Sequence, residues 1–252
     1  MDGALRDQSP RSNDARPAQP MDEMLIGRVR TVLTGRAVPY TRPDSFSAID
    51  KHPVPDAVQV HAEGLVGDEQ GDRRVHGGPE KAVHVYPWAH YPIWQDELGA
   101  LPVLQAPGAF GENLSVDGLD ECQVCIGDEW RIGSAGFTVS QGRQPCWKLN
   151  DRFGVPDMAR RVQDSGRSGW YLRVREPGAL RAGDEVRLRH RPHPDWPLDR
   201  IASLIRERVC DPALLREVLA LPLTPSWRRL FEQRLAQGAA EDWSRRLDGR
   251  QP

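Results

Sequence analysis

Residues 25–35 read LIGRVRTVLTG, and this stretch sets the reading of the chain. Leu25, Gly27, Val29, Thr31 and Leu33 take every second place, and Gly35 ends the run. Successive side chains of a strand point to opposite faces, so this alternation predicts a β-strand. Working outward, similar short runs follow at 46–49, 57–60, 82–86, 129–132, 137–140, 170–174 and 185–188, punctuated by Gly, Pro and Asp. Many short strands at such spacing predict a closed or nearly closed β-barrel. Two helices are expected to interrupt it. One spans Trp88 to Leu98, with Pro92 tolerated only in its first turn or at a kink. The other starts near Pro156, a residue suited to a first helical position, and runs toward Asp164.

After Arg191 the character changes. Pro192, Pro194 and Pro197 form a stiff linker. Asp199 is expected to cap a helix burying Leu204, Ile205 and Val209. Asp211-Pro212 and Thr224-Pro225 each place a capping side chain before a proline at the first turn. Gly238 is the expected stop. The predicted fold is thus mixed β/α: a β-barrel with inserted helices over 25–191, then a linker and a small three-helix C-terminal domain over 192–252. Residues 1–24 are polar and poor in apolar side chains, and they read as a disordered tail. Arg228, Arg229, Arg234, Arg245 and Arg246 hint at a partner-binding face. Glu232, Glu241 and Asp242 interleave with them, which favours a solvated helix surface.

Composition excludes several classes of function. A net charge of -2 gives no case for nucleic-acid binding. No apolar run approaches the roughly 20 residues of a membrane span, and the N-terminal stretch lacks a secretory h-region. The cysteines are Cys122, Cys125, Cys146 and Cys210. So few in a chain of 252 residues, without a signal, point to reduced thiols and a cytoplasmic protein. Cys122 and Cys125 form a C-x-x-C pair with no second pair to complete a zinc site. They are expected in or beside a strand entering residues 126–130.

Chemistry concentrates in a few segments. Gly67-Asp68-Glu69-Gln70 precedes Arg73, His76-Gly77-Gly78-Pro79 and Lys81. Paired glycines let backbone amides approach a ligand, while Arg73, His76 and Lys81 offer donors to phosphate or pterin oxygens. A polar hairpin loop would carry the same residues. Asn113, in Gly111-Glu112-Asn113-Leu114, has an amide that could read a heterocycle or merely hold a turn. Residues 140–150 read SQGRQPCWKLN. There Arg143 and Lys148 flank Cys146 and favour the thiolate that a nucleophile or metal ligand requires.

These blocks together, with Ile126-Gly127-Asp128 and the Trp243–Leu247 ending, resemble the MOSC family, and within it the bacterial YiiM-type proteins. The likeness runs in order from about Leu25 to Leu247. It implies a MOSC β-barrel core with a three-helix C-terminal domain. It also implies a molybdenum cofactor, Mo-molybdopterin, ligated by Cys146, and an oxidoreductase that detoxifies N-hydroxylated bases such as 6-hydroxylaminopurine. Two electrons and two protons would give the amine and water. Asp68 and His76 are candidate proton-handling groups beside Cys146. Arg73, His76, Gly77, Gly78, Lys81, Asn113, Arg143 and Lys148 are candidate cofactor contacts. The family often has proline where this chain has Gly142, which would loosen the loop. There is no G-x-G-x-x-G after a strand and no cysteine set for an iron–sulfur cluster. An external reductase is therefore the expected electron donor. The competing reading is a sulfur carrier holding a persulfide on Cys146.

Overall fold

The computed structural model describes residues 23–71 and 77–249. Almost all of the expected N-terminal tail lies outside the described residues, and Met24 already belongs to the first strand. Seven strands build the core: β1 (Met24–Thr34), β2 (Val83–Pro87), β3 (Leu114–Asp117), β4 (Glu129–Ile132), β5 (Ala135–Gly142), β6 (Trp170–Glu176) and β7 (Glu185–His190). Neighbours run β7-β4-β5-β6-β2-β3-β1, and β1 pairs back onto β7, so the sheet closes into a barrel. All these pairings are antiparallel except β2 with β3, which makes the barrel mixed.

The opening stretch is a strand, but its alternation does not mark one face. Bulges between Leu25 and Gly27 and between Val29 and Thr31 shift the phase. An inserted residue moves all later side chains to the other face. Leu25 is consequently half exposed, while Val29 and Val32 are fully buried.

The inserted helices are α1 (His90–Leu98), α2 (Lys148–Phe153) and α3 (Met158–Ser165). Pro92 falls in the first turn of α1, where its missing N–H costs nothing. α3 begins two residues after Pro156, with Asp157 at the cap position.

The C-terminal segment forms α4 (Leu198–Arg206), α5 (Pro212–Leu219), α6 (Pro225–Gln237) and the short α7 (Ser244–Leu247). Asp211 accepts from the amides of Ala213 at 3.0 Å and Leu214 at 2.9 Å, and Thr224 caps α6. Gly238 ends α6 in the left-handed region at φ 63°, where glycine bears no steric cost. Asp199 is not a cap; Pro197 stands at that position and Asp199 sits in the first turn. Asp211→Ala should lower stability by about 1 kcal/mol, a small fall in urea midpoint confined to this capping effect.

A backbone seam joins the two parts. Cys125 bridges Pro197, Leu198 donates to the Val124 carbonyl at 2.8 Å, and Asp199 donates to that of Glu121 at 3.0 Å. The C-x-x-C pair thus lies in this turn, beside β4 as expected, with Cys122 exposed and Cys125 buried. Among the described residues no helix is long and apolar enough to cross a membrane.

Candidate active site around Cys146

β5 delivers the chain to Cys146, and α2 begins just beyond it. Arg143 donates its amide to the Gly169 carbonyl at 2.9 Å, fixing the strand's exit. Gly142 ends β5 opposite Trp170. A Cβ there would come within 3.3 Å of the Trp227 ring of α6. Gly142 therefore belongs to a packed strand end against the helical domain, not to a loosened loop. Gln141, beside it, accepts from Thr224 at 2.8 Å and Ser226 at 3.1 Å.

Cys146 is buried and faces two cavities. The first opens into the barrel wall, and Asp68, Lys81, Asn113, Arg143 and Lys148 line it together with Cys146. Sequence reasoning named these six, and folding gathers them on one wall. Gly77 and Gly78 are not on it; Gly78 has φ 87° and receives no contact that a Cβ would disturb. The amide of Gly78 donates to the Gln70 side chain at 3.3 Å, and its carbonyl accepts from the amide of Lys81, starting a short 3-10 turn over Pro79–Lys81. Arg73 and His76 lie outside the described residues.

Two of the expected residues already have protein partners. Asp68 is buried, accepts from the Gly35 amide at 2.8 Å and forms an ion pair with Lys51. Burial pushes the Lys51 ammonium below its ordinary value, and Asp68 opposes that shift. A carboxylate so tied anchors the cavity wall. The Asn113 amide is engaged by main chain: Oδ1 accepts from the His84 amide at 3.0 Å, and Nδ2 donates to the Leu33 carbonyl at 3.2 Å. It ties β1 to β2 at the cavity's edge. The neighbouring Glu112, fully buried, accepts from the amides of Gly108 at 2.8 Å and Phe110 at 3.1 Å and from Tyr91. Gly111 holds the turn at φ 73°, where a Cβ would press on Ile49 at 2.8 Å.

The cavity also holds residues that sequence reasoning missed: Lys51, His84 and Tyr171. His84 sits in a strand whose residues are all buried, and that placement was its only sequence signal. Burial drives its imidazole well below the ordinary range, and the Arg143 charge adds to the effect, so the ring is neutral. Its Nε2 and the Nη1 of Arg143 are buried without a hydrogen-bond partner. Unpaired buried polar atoms are costly, and both of these belong to residues that line the cavity.

The second cavity, about 850 Å3, lies between the barrel and the helical segment. It shares Gly71, Lys81, Cys146, Lys148 and Tyr171 with the first, and adds Trp243, Arg245 and Arg246. Arg246 donates to the Pro145 carbonyl at 2.6 Å and bonds the Gln163 amide oxygen. Its own carbonyl accepts from the Trp147 amide at 2.8 Å. Burial pushes the Arg246 guanidinium down to about 10, and the Cys146 sulfur opposes that. The same sulfur opposes the lowering that burial imposes on Lys81. The C-terminal segment is therefore no appendage beside the barrel; it clamps the Cys146 loop and walls its second cavity.

The geometry matches known proteins. The MOSC domain profile matches residues 72–187, and that of the YiiM-like, 3-alpha helix domain matches residues 196–238. The chain is 39% identical over 222 residues to Protein YiiM of Escherichia coli, covering 87% of this chain and 97% of that one. It is 39% identical over 190 residues to a protein named Reductase from Gibberella moniliformis, covering 75% of this chain but 34% of that longer protein. Among solved structures, YiiM from Escherichia coli superposes with a TM-score of 0.74 at 33% identity, covering 88% of this chain and 98% of that one. YiiM from Geobacillus stearothermophilus gives a TM-score of 0.71 at 31% identity, covering 83% and 99%.

Proposed function

We infer the function from a firm premise: the chain belongs to the MOSC family and carries a YiiM-like three-helix domain. We propose that it is a molybdenum cofactor-dependent reductase of N-hydroxylated compounds, cytoplasmic and supplied with electrons by a separate reductase. The observation that carries this reading is the buried thiol of Cys146 standing between two cavities, one of which holds the orphaned Arg143 Nη1 and His84 Nε2.

The residues fit such a cofactor. Among the described residues no group of three or more His, Cys, Asp or Glu could hold a metal ion. Cys146 would give one thiolate and the pterin the remaining soft ligands. Arg143 and His84 would meet ring heteroatoms or oxygens in the barrel cavity. Lys81 and Lys148 would meet negative charge beside Cys146. When bound, the cofactor supplies the two-electron reduction of the N–O bond. The chain's own part is to fix Cys146 through Arg246 and α2, to exclude bulk water at a buried sulfur, and to hold cations where charge accumulates. The neutral ring of His84, which burial keeps from taking up a second proton, could offer one hydrogen bond at the barrel cavity.

Metal analysis of protein from molybdopterin-competent cells tests the reading; near-stoichiometric molybdenum and N-hydroxyl reduction with a supplied reductant are expected. Lys81→Ala and Arg143→Ala should each weaken cofactor retention. A lost charge-assisted bond costs about 1.5–3 kcal/mol, enough to strip much of the cofactor during purification. Full molybdenum occupancy in both variants would place the cofactor's anionic groups elsewhere.

A further inference from the structure

The second cavity is the roomier of the two and would have to take both the outer part of a cofactor on Cys146 and the substrate. At about 850 Å3 it falls in the range of sites that enclose sizeable ligands. Its walls differ in kind. Trp243, Trp147 and Leu230 supply apolar surface, and the side-chain amides of Gln144 and Gln233 can both donate and accept. The Trp243 ring is held in place: its Nε1 donates to Glu241 at 2.6 Å, and the Arg208 guanidinium lies 4.6 Å from its centre.

The charges on this wall are unequal. Asp44, Glu241 and Asp242 are its carboxylates. Glu241 is engaged by Arg234 at 2.8 Å, and Asp242 accepts from Ser244 at 2.7 Å. Against them stand Arg229 on α6 and Arg245 on α7, both exposed at the cavity. No ion pair or hydrogen bond among the described residues engages either guanidinium. Guanidinium is the preferred partner of phosphate oxygens. Free guanidiniums at the outer wall, aromatic surface, and the Cys146 sulfur on the inner wall describe one elongated ligand: a reacting ring inward and an anionic group outward.

We propose that this cavity selects the phosphorylated form of an N-hydroxylated base, a nucleotide, with Arg229 and Arg245 as specificity-determining contacts to its phosphate. This rests on the reductase reading above. The C-terminal segment then acts as a substrate selector, since Arg229 comes from α6 and Trp243 and Arg245 from the start of α7.

The test compares binding of adenosine and adenosine monophosphate, unreactive product-like probes, by calorimetry to the full chain purified from molybdopterin-competent cells. Wild-type protein should bind the monophosphate at least about tenfold more tightly than the nucleoside. Arg229→Gln with Arg245→Gln should close that gap at unchanged melting temperature. With N-hydroxylated substrates the same double variant should lose the preference in kcat/KM for monophosphate over free base. Equal binding of both probes by wild type would overturn the proposal. So would a gap that survives in the double variant, which would give the phosphate to Lys81 or Lys148. Loss of molybdenum from the double variant would assign the arginines to the cofactor and overturn it equally. The binding measurement needs no turnover. A protein without molybdenum that shows the gap, and loses it in the variant, would remove the reductase reading and leave the cavity assignment standing.

Discussion

Cys146→Ser should yield a folded protein that holds little molybdenum and has lost N-hydroxyl reduction. The side chain is buried, and a hydroxyl occupies nearly the volume of a thiol, so the fold should lose less than about 1.5 kcal/mol. The clamp on its loop does not use the sulfur: Arg246 holds the Pro145 carbonyl, and α2 is fixed by the Asn150 side chain donating to the Leu247 carbonyl at 2.9 Å. Ligation does depend on the sulfur. A serine hydroxyl is a poor ligand for a soft metal, whereas a thiolate is a good one, and Lys81, Lys148 and Arg246 stand around it. Altering groups beyond a metal's own ligands costs about 10–100-fold in affinity or activity, so removing the ligand should cost more. Cys122→Ser, Cys125→Ser and Cys210→Ser should keep most activity, because none of those thiols lines either cavity. X-ray absorption on wild-type protein should show sulfur ligation that weakens in the Cys146→Ser variant. A wild-type protein that never takes up molybdenum in cofactor-replete cells would leave Cys146 as a persulfide carrier.

Where a signal was local, the sequence could be read. The caps at Asp211 and Thr224 and the stop at Gly238 depend on one side chain or one backbone angle each, and all are in place. Strand β4 has the bounds its alternation predicts, with Trp130 and Ile132 inward. Strand β3 was missed because Leu114, Ser115 and Val116 are all buried beside a parallel neighbour, which erases alternation. Helix α2 was missed because Trp147 at its start offers no capping oxygen. The phase of β1 was misread because bulges have no composition of their own. The site shows the same division. Cys146, Arg143 and Lys148 share one segment and were legible. Lys51, His84, Tyr171 and Arg246 reach it from separate elements, and only the closure of the barrel and the return of α7 bring them together. Arg246 belonged to a segment read as matching the family and as solvent-facing, yet it donates into the Cys146 loop.

Arg234→Ala should strongly destabilise the helical domain. The five arginines of this segment read as a solvated face, but Arg234 is 1% exposed. Its guanidinium donates to the carbonyls of Leu204 at 2.6 Å, Ile205 at 3.1 Å and Val209 at 3.2 Å, groups at and just past the C-terminal end of α4. It also forms a forked pair with Glu241, Nε at 2.8 Å and Nη2 at 2.9 Å. Removing it strands helix-end carbonyls that need donors and a carboxylate in a poorly solvated place. Breaking a fully buried pair costs about 3–5 kcal/mol; with the Glu241 side chain 29% exposed, the lower end, about 3 kcal/mol, is expected, still a large share of a domain's stability. Arg234→Lys should recover little, because an ammonium cannot span the carbonyls and the carboxylate at once. The pH dependence follows from Glu241. Burial raises its carboxyl, but the bonds from Arg234 and Trp243 outweigh that and hold it below the ordinary value. A carboxyl lowered on folding contributes stability above its unfolded value, near pH 4.3, and loses it as pH falls through the lower folded value. The stability gap between wild type and Arg234→Ala, read by urea unfolding, should therefore be widest near neutrality and narrow below about pH 4. A gap constant with pH would assign the loss to the stranded carbonyls alone. No gap at any pH would mean that water replaces the guanidinium. Because Glu241 also orients Trp243, the variant should blunt nucleotide binding at temperatures where the barrel is intact, tying the stability of the helical domain to the wall of the cavity it forms.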